Sequence, residues 1–225
     1  MIPSHHFDSH ERAYLAELMQ DFPALPVLGV DEALNFLSIR YKQLDIEQLA
    51  ESLQLLEEDQ FVSGMARLPK QIHGHLYKGI LKNAGEYRQG DDKNGGIVFF
   101  GTNQKFRGFS PAEIDEGMAA ACSLLSLADA EPIYHVVKFY QQFVLIHPFY
   151  DANGRIGRYV TSLYLHLHGY HLYWERLRQN NQWLKRLNAC HSRFESHNYE
   201  EYVRRLVNHW SKFIISKEDV IPPDG

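Results

Sequence analysis

The chain has 225 residues, 44% of them hydrophobic and 23% charged, which is enough apolar material for a sizeable core and too much for a disordered chain. Its net charge of −5 argues against a surface built for nucleic acid or an anionic membrane. The two cysteines, Cys122 and Cys190, are far apart and lack CxxC spacing, so a disulfide framework or a cysteine zinc site is not expected, and a reducing, cytoplasmic setting is. The opening residues carry neither a basic nor an apolar leader segment, and no apolar run reaches the length of a membrane span.

Most segments read as helix. "SHERAYLAELMQDF" follows a serine cap. "DEALNFLSIRYKQL" and "DIEQLAESLQLLEEDQF" each open on an aspartate in capping position, with apolar residues at helical spacing. "MARLPKQIHGHLYKGILKNAG" reads as helix around its proline, ending near Gly85. The texture then changes to Gly, Asp and Asn clusters around one short β-rich run, "IVFF", which predicts a loop with a small strand or hairpin. Ser110 and Glu113 form a capping box, with Pro111 at the first helical position. In "PIYHVVKFYQQFVLIHPF", residues Ile133, Val136, Val137, Tyr140, Phe143 and Val144 fall on one stripe, and the helix must end near His147, ahead of a proline. A further helix starts around Asn153 and stops at Gly169, and "NNQWLKRLNACHSRFE" and "NYEEYVRRLVNHWSKFIIS" predict two more. The fold class is therefore all-α with a small β-hairpin flap. An N-terminal helical segment over 1–60 packs on a core over 61–215, and a frayed tail follows over 216–225.

The stretch from His147 to Arg158, "HPFYDANGRIGR", carries the chemistry. Arg155 and Arg158 share a face in the first turn of a helix, where cations are unfavourable by about 0.3–1 kcal/mol each. A bound anion would resolve that conflict, because unpaired N–H groups, the helix dipole and two guanidinium forks together make a phosphate site. Gly154 and Ala152 are small enough for close approach of the backbone. Asp151 beside phosphates is an ordinary Mg²⁺ ligand, and His147 can serve as a general base. The plainer reading is a Asp-Ala-Asn-Gly turn with Asp151 or Asn153 as cap and solvated arginines; it accounts for each residue separately, though not for their convergence.

This stretch resembles the Fic-domain signature, HxFx[D/E][A/G]N[G/K]RxxR, at every defining position. "AGEYR" over Ala84–Arg88 is similar to the family's AGxYR turn, and "IVFFGT" falls where the family has its flap. The resemblance covers roughly residues 60–215. It implies a protein adenylyltransferase that moves AMP from Mg·ATP to a Ser, Thr or Tyr hydroxyl of a target protein and releases pyrophosphate. His147 would deprotonate the hydroxyl, Asp151 would bind Mg²⁺, and Asn153, Gly154 and the loop N–H groups would form the anion hole. Arg155 would hold the β- and γ-phosphates with help from Arg158, and Phe149 would anchor the loop. Phe100, Gly101 and Thr102 of the flap would register the target by strand addition. Where many members place tandem tyrosines against adenine, this chain has Trp183 and Leu184, and the matching alternative for Trp183 is plain core packing.

Other readings stay open. The same loop could position another nucleotide or pyrophosphate-linked donor, or remove AMP, or bind a nucleotide for regulation with little turnover. The family's inhibitory [S/T]xxxE[G/N] helix has no good copy upstream of the core. "SHNYEE" over Ser196–Glu201 fits only partly, and reads better as a helix start with Asn198 as cap. Control would then lie with an antitoxin-like partner, self-association or the N-terminal helices. The histidine pair His168 and His171 is a poor zinc candidate, and Cys122 reads as core.

Overall fold

The computed structural model describes residues 7–180 and 182–219. Ten helices carry the described chain: α1 (Ser9–Asp21), α2 (Val30–Gln43), α3 (Ile46–Gln54), α4 (Glu58–Tyr77), α5 (Pro111–Cys122), α6 (Pro132–Ile146), α7 (Asn153–Leu167), α8 (Trp174–Gln179), α9 (Gln182–His191) and α10 (Tyr199–Trp210). Two small antiparallel sheets accompany them. Strands β1 (Phe99–Phe100) and β2 (Phe106–Arg107) pair Phe99 with Arg107, and β3 (Tyr170–Leu172) and β4 (Ile214–Ser216) pair Tyr170 with Ser216. The all-α reading with a small hairpin flap holds.

The centre is α6, packed on α7. Val136, Val137, Phe139, Tyr140, Phe143 and Ile146 are all buried, and so is Gln141, so the helix is covered on nearly every side rather than along one stripe. A helix apolar around most of its circumference belongs in an interior. Gly157 of α7 permits the close crossing: a β-carbon there would lie 3.1 Å from the Phe143 ring and 3.2 Å from the Tyr140 ring. Helices α5, α9 and α10 cover the rest of α6, while α3 and α4 cover α7. Helix α2 packs on α4, and α1 on α2.

Several expected boundaries move. The cap of α1 is Asp8, not Ser9; its side chain accepts from the Glu11 N–H while Glu11 accepts from the Asp8 N–H, a reciprocal capping box. Gly29 caps α2, which puts Asp31 inside the first turn. Asp45 does cap α3, but that helix ends at Gln54 and α4 starts at Glu58, so the single helix expected over this stretch is two. Helix α4 runs through Pro69 and ends at Tyr77, eight residues before Gly85, which sits in a later left-handed turn. The last expected helix stops at Trp210, because the β-branched pair Ile214 and Ile215 leaves it to pair with β3. Ser216 therefore belongs to a strand and Lys217–Asp219 to a 3₁₀ turn. The remainder of the expected tail lies outside the described residues. Among the described residues no helix is long and apolar enough to cross a membrane.

Candidate active site

The loop between α6 and α7 is built by its own sequence. His147 closes α6 in the left-handed region (φ 52°), with its N–H still bonded to the Phe143 carbonyl. Ala152 repeats that conformation (φ 62°) immediately before α7. For a residue with a β-carbon this costs on the order of 1 kcal/mol. The cost is met by the side chain of Asn153, which clamps the loop from inside: its Oδ1 accepts from the Phe149 N–H at 3.0 Å and its Nδ2 donates to the Phe149 carbonyl at 2.7 Å. Phe149 is buried and lies flat on His73, with ring centroids 4.2 Å apart and planes 4° from parallel. His73 in turn accepts the Gly85 N–H at Nδ1 (2.9 Å), so the turn after α4 supports the loop.

Arg88 ties the same loop to the flap. It is fully buried without a carboxylate, and backbone carbonyls satisfy it: Nε donates to His147 at 2.8 Å, Nη2 to Phe109 at 2.9 Å, and Nη1 to Gly96. Burial lowers its pKa to about 10, which still leaves it charged near neutrality. This clamp was visible in the sequence only as part of the AGxYR likeness; its connections run 59 residues along the chain.

A cavity of about 840 Å³ lies against the loop. Its wall includes His147, Asp151, Ala152, Asn153, Gly154, Arg155 and Arg158 from the loop and the start of α7, together with Phe100 and Gly101 of the flap. Thr102, Trp183 and Leu184 are not part of that wall; Asn103 and Gln104 stand in the flap's place after Gly101. Trp183 packs edge-on toward Trp210, 6.5 Å between centroids, and Leu184 is 42% exposed. Sequence reading did not include Arg178 of α8, nor His10, Glu11, Tyr14 and Glu17 of α1, all of which line the cavity.

The electrostatics of the wall are uneven. Asp151 is engaged on both oxygens. Oδ1 accepts from the Ala152 N–H at 2.6 Å, Oδ2 from the Tyr77 hydroxyl at 2.5 Å, and Arg155 Nη2 donates to both at 2.8 and 2.9 Å. Burial alone would raise the Asp151 carboxyl, and Arg155 with those hydrogen bonds pulls it below the usual carboxylate range instead. Arg155 also donates from Nη1 to Glu11 at 3.0 Å. A carboxylate from the first helix thus reaches the guanidinium at the mouth of the loop, and Tyr14, one turn on, donates to the Tyr150 carbonyl at 2.7 Å. The N–H groups of α7's first turn precede its first internal bond, from Ile156 to the Ala152 carbonyl, and so are available to an anion.

His147 stands at the flap side. Its Nδ1 lies 3.2 Å from the Val144 carbonyl, and since a carbonyl only accepts, Nδ1 carries the hydrogen and Nε2 the lone pair. Its pKa is lowered to about 4, chiefly by burial with Arg88 acting the same way, while the Val144 bond and Asp151 act against them. The ring is neutral near pH 7. Phe100 stacks on it at 4.4 Å, 11° from parallel, so the flap rests on the imidazole.

The remaining candidates are not assembled into sites. Among the described residues no three His, Cys, Asp or Glu side chains are placed to hold a metal. Cys122 and Cys190 are free and buried, with thiols pushed up to about 12 by burial, which makes them inert. Glu201 pairs with Arg205 on the surface of α10, away from the cavity, in keeping with a helix start at Asn198.

Comparison with known proteins follows the same lines. A Fido domain-containing protein of Dictyostelium discoideum is 28% identical over 128 residues, which is 52% of this chain and 79% of that protein. Among solved structures, the N-terminal Fic domain of a Bartonella effector protein, a substrate of the VirB type IV secretion system, gives a TM-score of 0.58 at 16% identity, covering 97% of this chain and 98% of that one. A Fic domain-containing signalling protein from Bacteroides thetaiotaomicron gives 0.55 at 18% identity, covering 90% and 80%. A Fic family protein from Desulfovibrio desulfuricans gives 0.52 at 16%, with 92% of this chain covered but only 65% of that longer chain. At such identities these structures share the fold alone. The family match lies in the 100 residues that build α4's second half, the flap, α5, α6, the loop and most of α7: residues 66–165 match the Fic/DOC family.

Proposed function

We propose that the chain is a protein adenylyltransferase, transferring AMP from ATP to a hydroxyl side chain of a target protein. The family includes transferases that modify proteins. The observation that carries the finer reading is the pairing, on one cavity wall, of a neutral imidazole in the right tautomer with a helix N-terminus bearing Arg155 and Arg158. In the transfer, the target oxygen bonds to the α-phosphorus and the bond to the bridging oxygen of the β-phosphate breaks. The hydroxyl proton passes to His147 Nε2, and pyrophosphate leaves. The protein's contribution is positioning and charge stabilisation.

Asp151 fits Mg²⁺ in kind, being a hard oxygen donor beside a phosphate site. Its lone pairs are now taken by Arg155, Tyr77 and the Ala152 N–H, so a cation reaches it once Arg155 turns to the phosphates. When bound, the ion would neutralise phosphate charge. A second donor is kept open by one observation: Trp183 meets Trp210 edge-on and is not on the cavity wall, so the residue expected to stack on adenine does not face the cavity.

The test is transfer of label from α-phosphate-labelled ATP with Mg²⁺, alongside labelled UTP and GTP, to the chain itself and to proteins of a cell lysate. Wild type should label protein from ATP, and His147→Ala and Arg155→Ala should not. Label from UTP or GTP instead would replace the donor. Binding of nucleotide with no transfer to any protein would reduce the reading to a binding module.

A further inference from the structure

Three donors from three places hold the Asp151 carboxylate. The Ala152 N–H belongs to the loop itself, Arg155 to the first turn of α7, and the Tyr77 hydroxyl to the last residue of α4. Once Arg155 turns to the phosphates, each oxygen keeps one bond: the Ala152 N–H on Oδ1 at 2.6 Å and the Tyr77 hydroxyl on Oδ2 at 2.5 Å. A carboxylate has about four lone-pair sites, so two bonds leave it room to take a cation. Two bonds on different oxygens also fix its plane. With the Ala152 bond alone it would turn about χ2, a torsion with only a broad preference.

Tyr77 is itself firmly placed. His73 and Tyr77 are one turn apart on α4 and share a face. The His73 ring stacks on Tyr77 at 4.7 Å and on Phe149 at 4.2 Å, so α4 grips the loop twice, at Phe149 and at Asp151. The Tyr77 carbonyl accepts from the Ile80 and Leu81 N–H groups at 2.8 and 3.0 Å, which closes the chain around it. Burial, with Asp151 beside it, pushes the phenol well above its ordinary range, so the hydroxyl remains a donor. Phenylalanine at this position would keep the ring and its stacks; what it lacks is the donor to Oδ2.

We propose that Tyr77 is a positioning residue for the divalent cation: its hydroxyl holds the Asp151 carboxylate in the orientation in which it takes Mg²⁺ together with the nucleotide. The inference rests on the reading of the cavity as a Mg·ATP site and adds a residue of α4, outside the loop and its sequence pattern. A hydrogen bond to a ligating carboxylate orients it, and losing such a bond typically costs about 10–100-fold in metal affinity. Tyr77 does not line the cavity, so it acts on the nucleotide only through Asp151 and the cation.

The experiment is calorimetric titration of the full chain with ATP, in EDTA and across a series of Mg²⁺ concentrations, with Mn²⁺ bound to the same complexes counted by electron paramagnetic resonance. Wild type, Tyr77→Phe and Tyr159→Phe are compared. Tyr159 is buried on α7, donates to the Asp45 carbonyl at 3.0 Å and does not line the cavity, so it controls for the loss of a buried hydroxyl. Tyr77→Phe should raise the Mg²⁺ and Mn²⁺ concentrations at half effect about tenfold or more while leaving ATP binding in EDTA within about twofold, and Tyr159→Phe should change neither. Equal weakening of ATP with and without Mg²⁺ would make Tyr77 a packing residue and overturn the proposal, as would unchanged or tighter cation binding in Tyr77→Phe. If Mg²⁺ does not alter ATP binding to the wild type, the role of Tyr77 falls while the nucleotide reading stands. If ATP binds the wild type under neither condition, both fall together.

Discussion

His147 shows how one residue's surroundings set its chemistry. An unperturbed imidazole is half protonated near pH 6.5, and a base in that state would be compromised in mildly acidic solution. Here the pKa falls to about 4, because burial and Arg88 outweigh the Val144 carbonyl and Asp151. The base must be neutral to accept a proton, so the acid limb of the transfer rate moves down with the pKa. Label transfer per unit time should therefore be flat from pH 7 to 5 and fall only toward pH 4. A limb centred near 6.5 would mean that the imbedded imidazole is more solvated than its contacts with Phe100, Val144 and Arg88 imply. Asp151 makes the complementary case. It was legible as a hard ligand beside phosphates, but not as the partner of Tyr77, which lies 74 residues earlier and donates to Oδ2.

Among the elements, α1 has a role that its sequence does not announce. Glu11 is the N3 residue of a capping box, and that local pattern explains it fully until the fold brings Arg155 to 3.0 Å. One oxygen then caps the helix and the other meets the guanidinium. Phosphate oxygens must compete with Glu11 for Arg155. Glu11→Gln keeps an acceptor for the cap and removes the charge, so it should tighten ATP binding about fivefold, the worth of a partly exposed ion pair of about 1 kcal/mol, and lower the stability of the ligand-free chain by about the same amount. Weaker or unchanged ATP binding in that variant would show that Glu11 does not compete. The same contrast decides what could be read from sequence. The starts of helices with local caps, such as α3 at Asp45 and α5 at Ser110, were legible because their causes lie within a few residues. Strand β4 was missed because its partner β3 is more than 40 residues away, and α8 because six residues carry too little periodicity. The loop from His147 to Arg158 was legible as chemistry because its residues are contiguous; Arg88, Arg178 and Glu11 reach the same place only through the fold.

At the scale of the whole molecule, the buried histidines tie stability to pH. His73 is 2% exposed between Phe149 and Tyr77, and His191 is 6% exposed against Phe100 and Phe106; burial lowers both to about 4. In the unfolded chain each titrates near 6.5. Between those values the unfolded state binds protons that the folded state refuses, so stability is lost as pH falls from about 6.5 toward 4. His166, His171 and His209 are lowered in the same direction, also chiefly by burial, and add to the slope. Each fully engaged imidazole contributes about 1.4 kcal/mol per pH unit, so His73 and His191 alone give about 3 kcal/mol per unit in mid-window. Asp151 belongs to a different window: its carboxyl is held low in the fold, so its contribution is present above the ordinary carboxylate range and lost only as pH falls below it. Urea unfolding at pH 7.5, 6.0 and 5.0 separates the two. The midpoint should fall little from 7.5 to about 6.5 and steeply from 6.0 to 5.0, where the carboxylates are still ionised. A midpoint that stays level down to pH 5 would mean that the imidazoles take up protons within the fold, and that the stack of His73 on Phe149 beneath the loop is open to water.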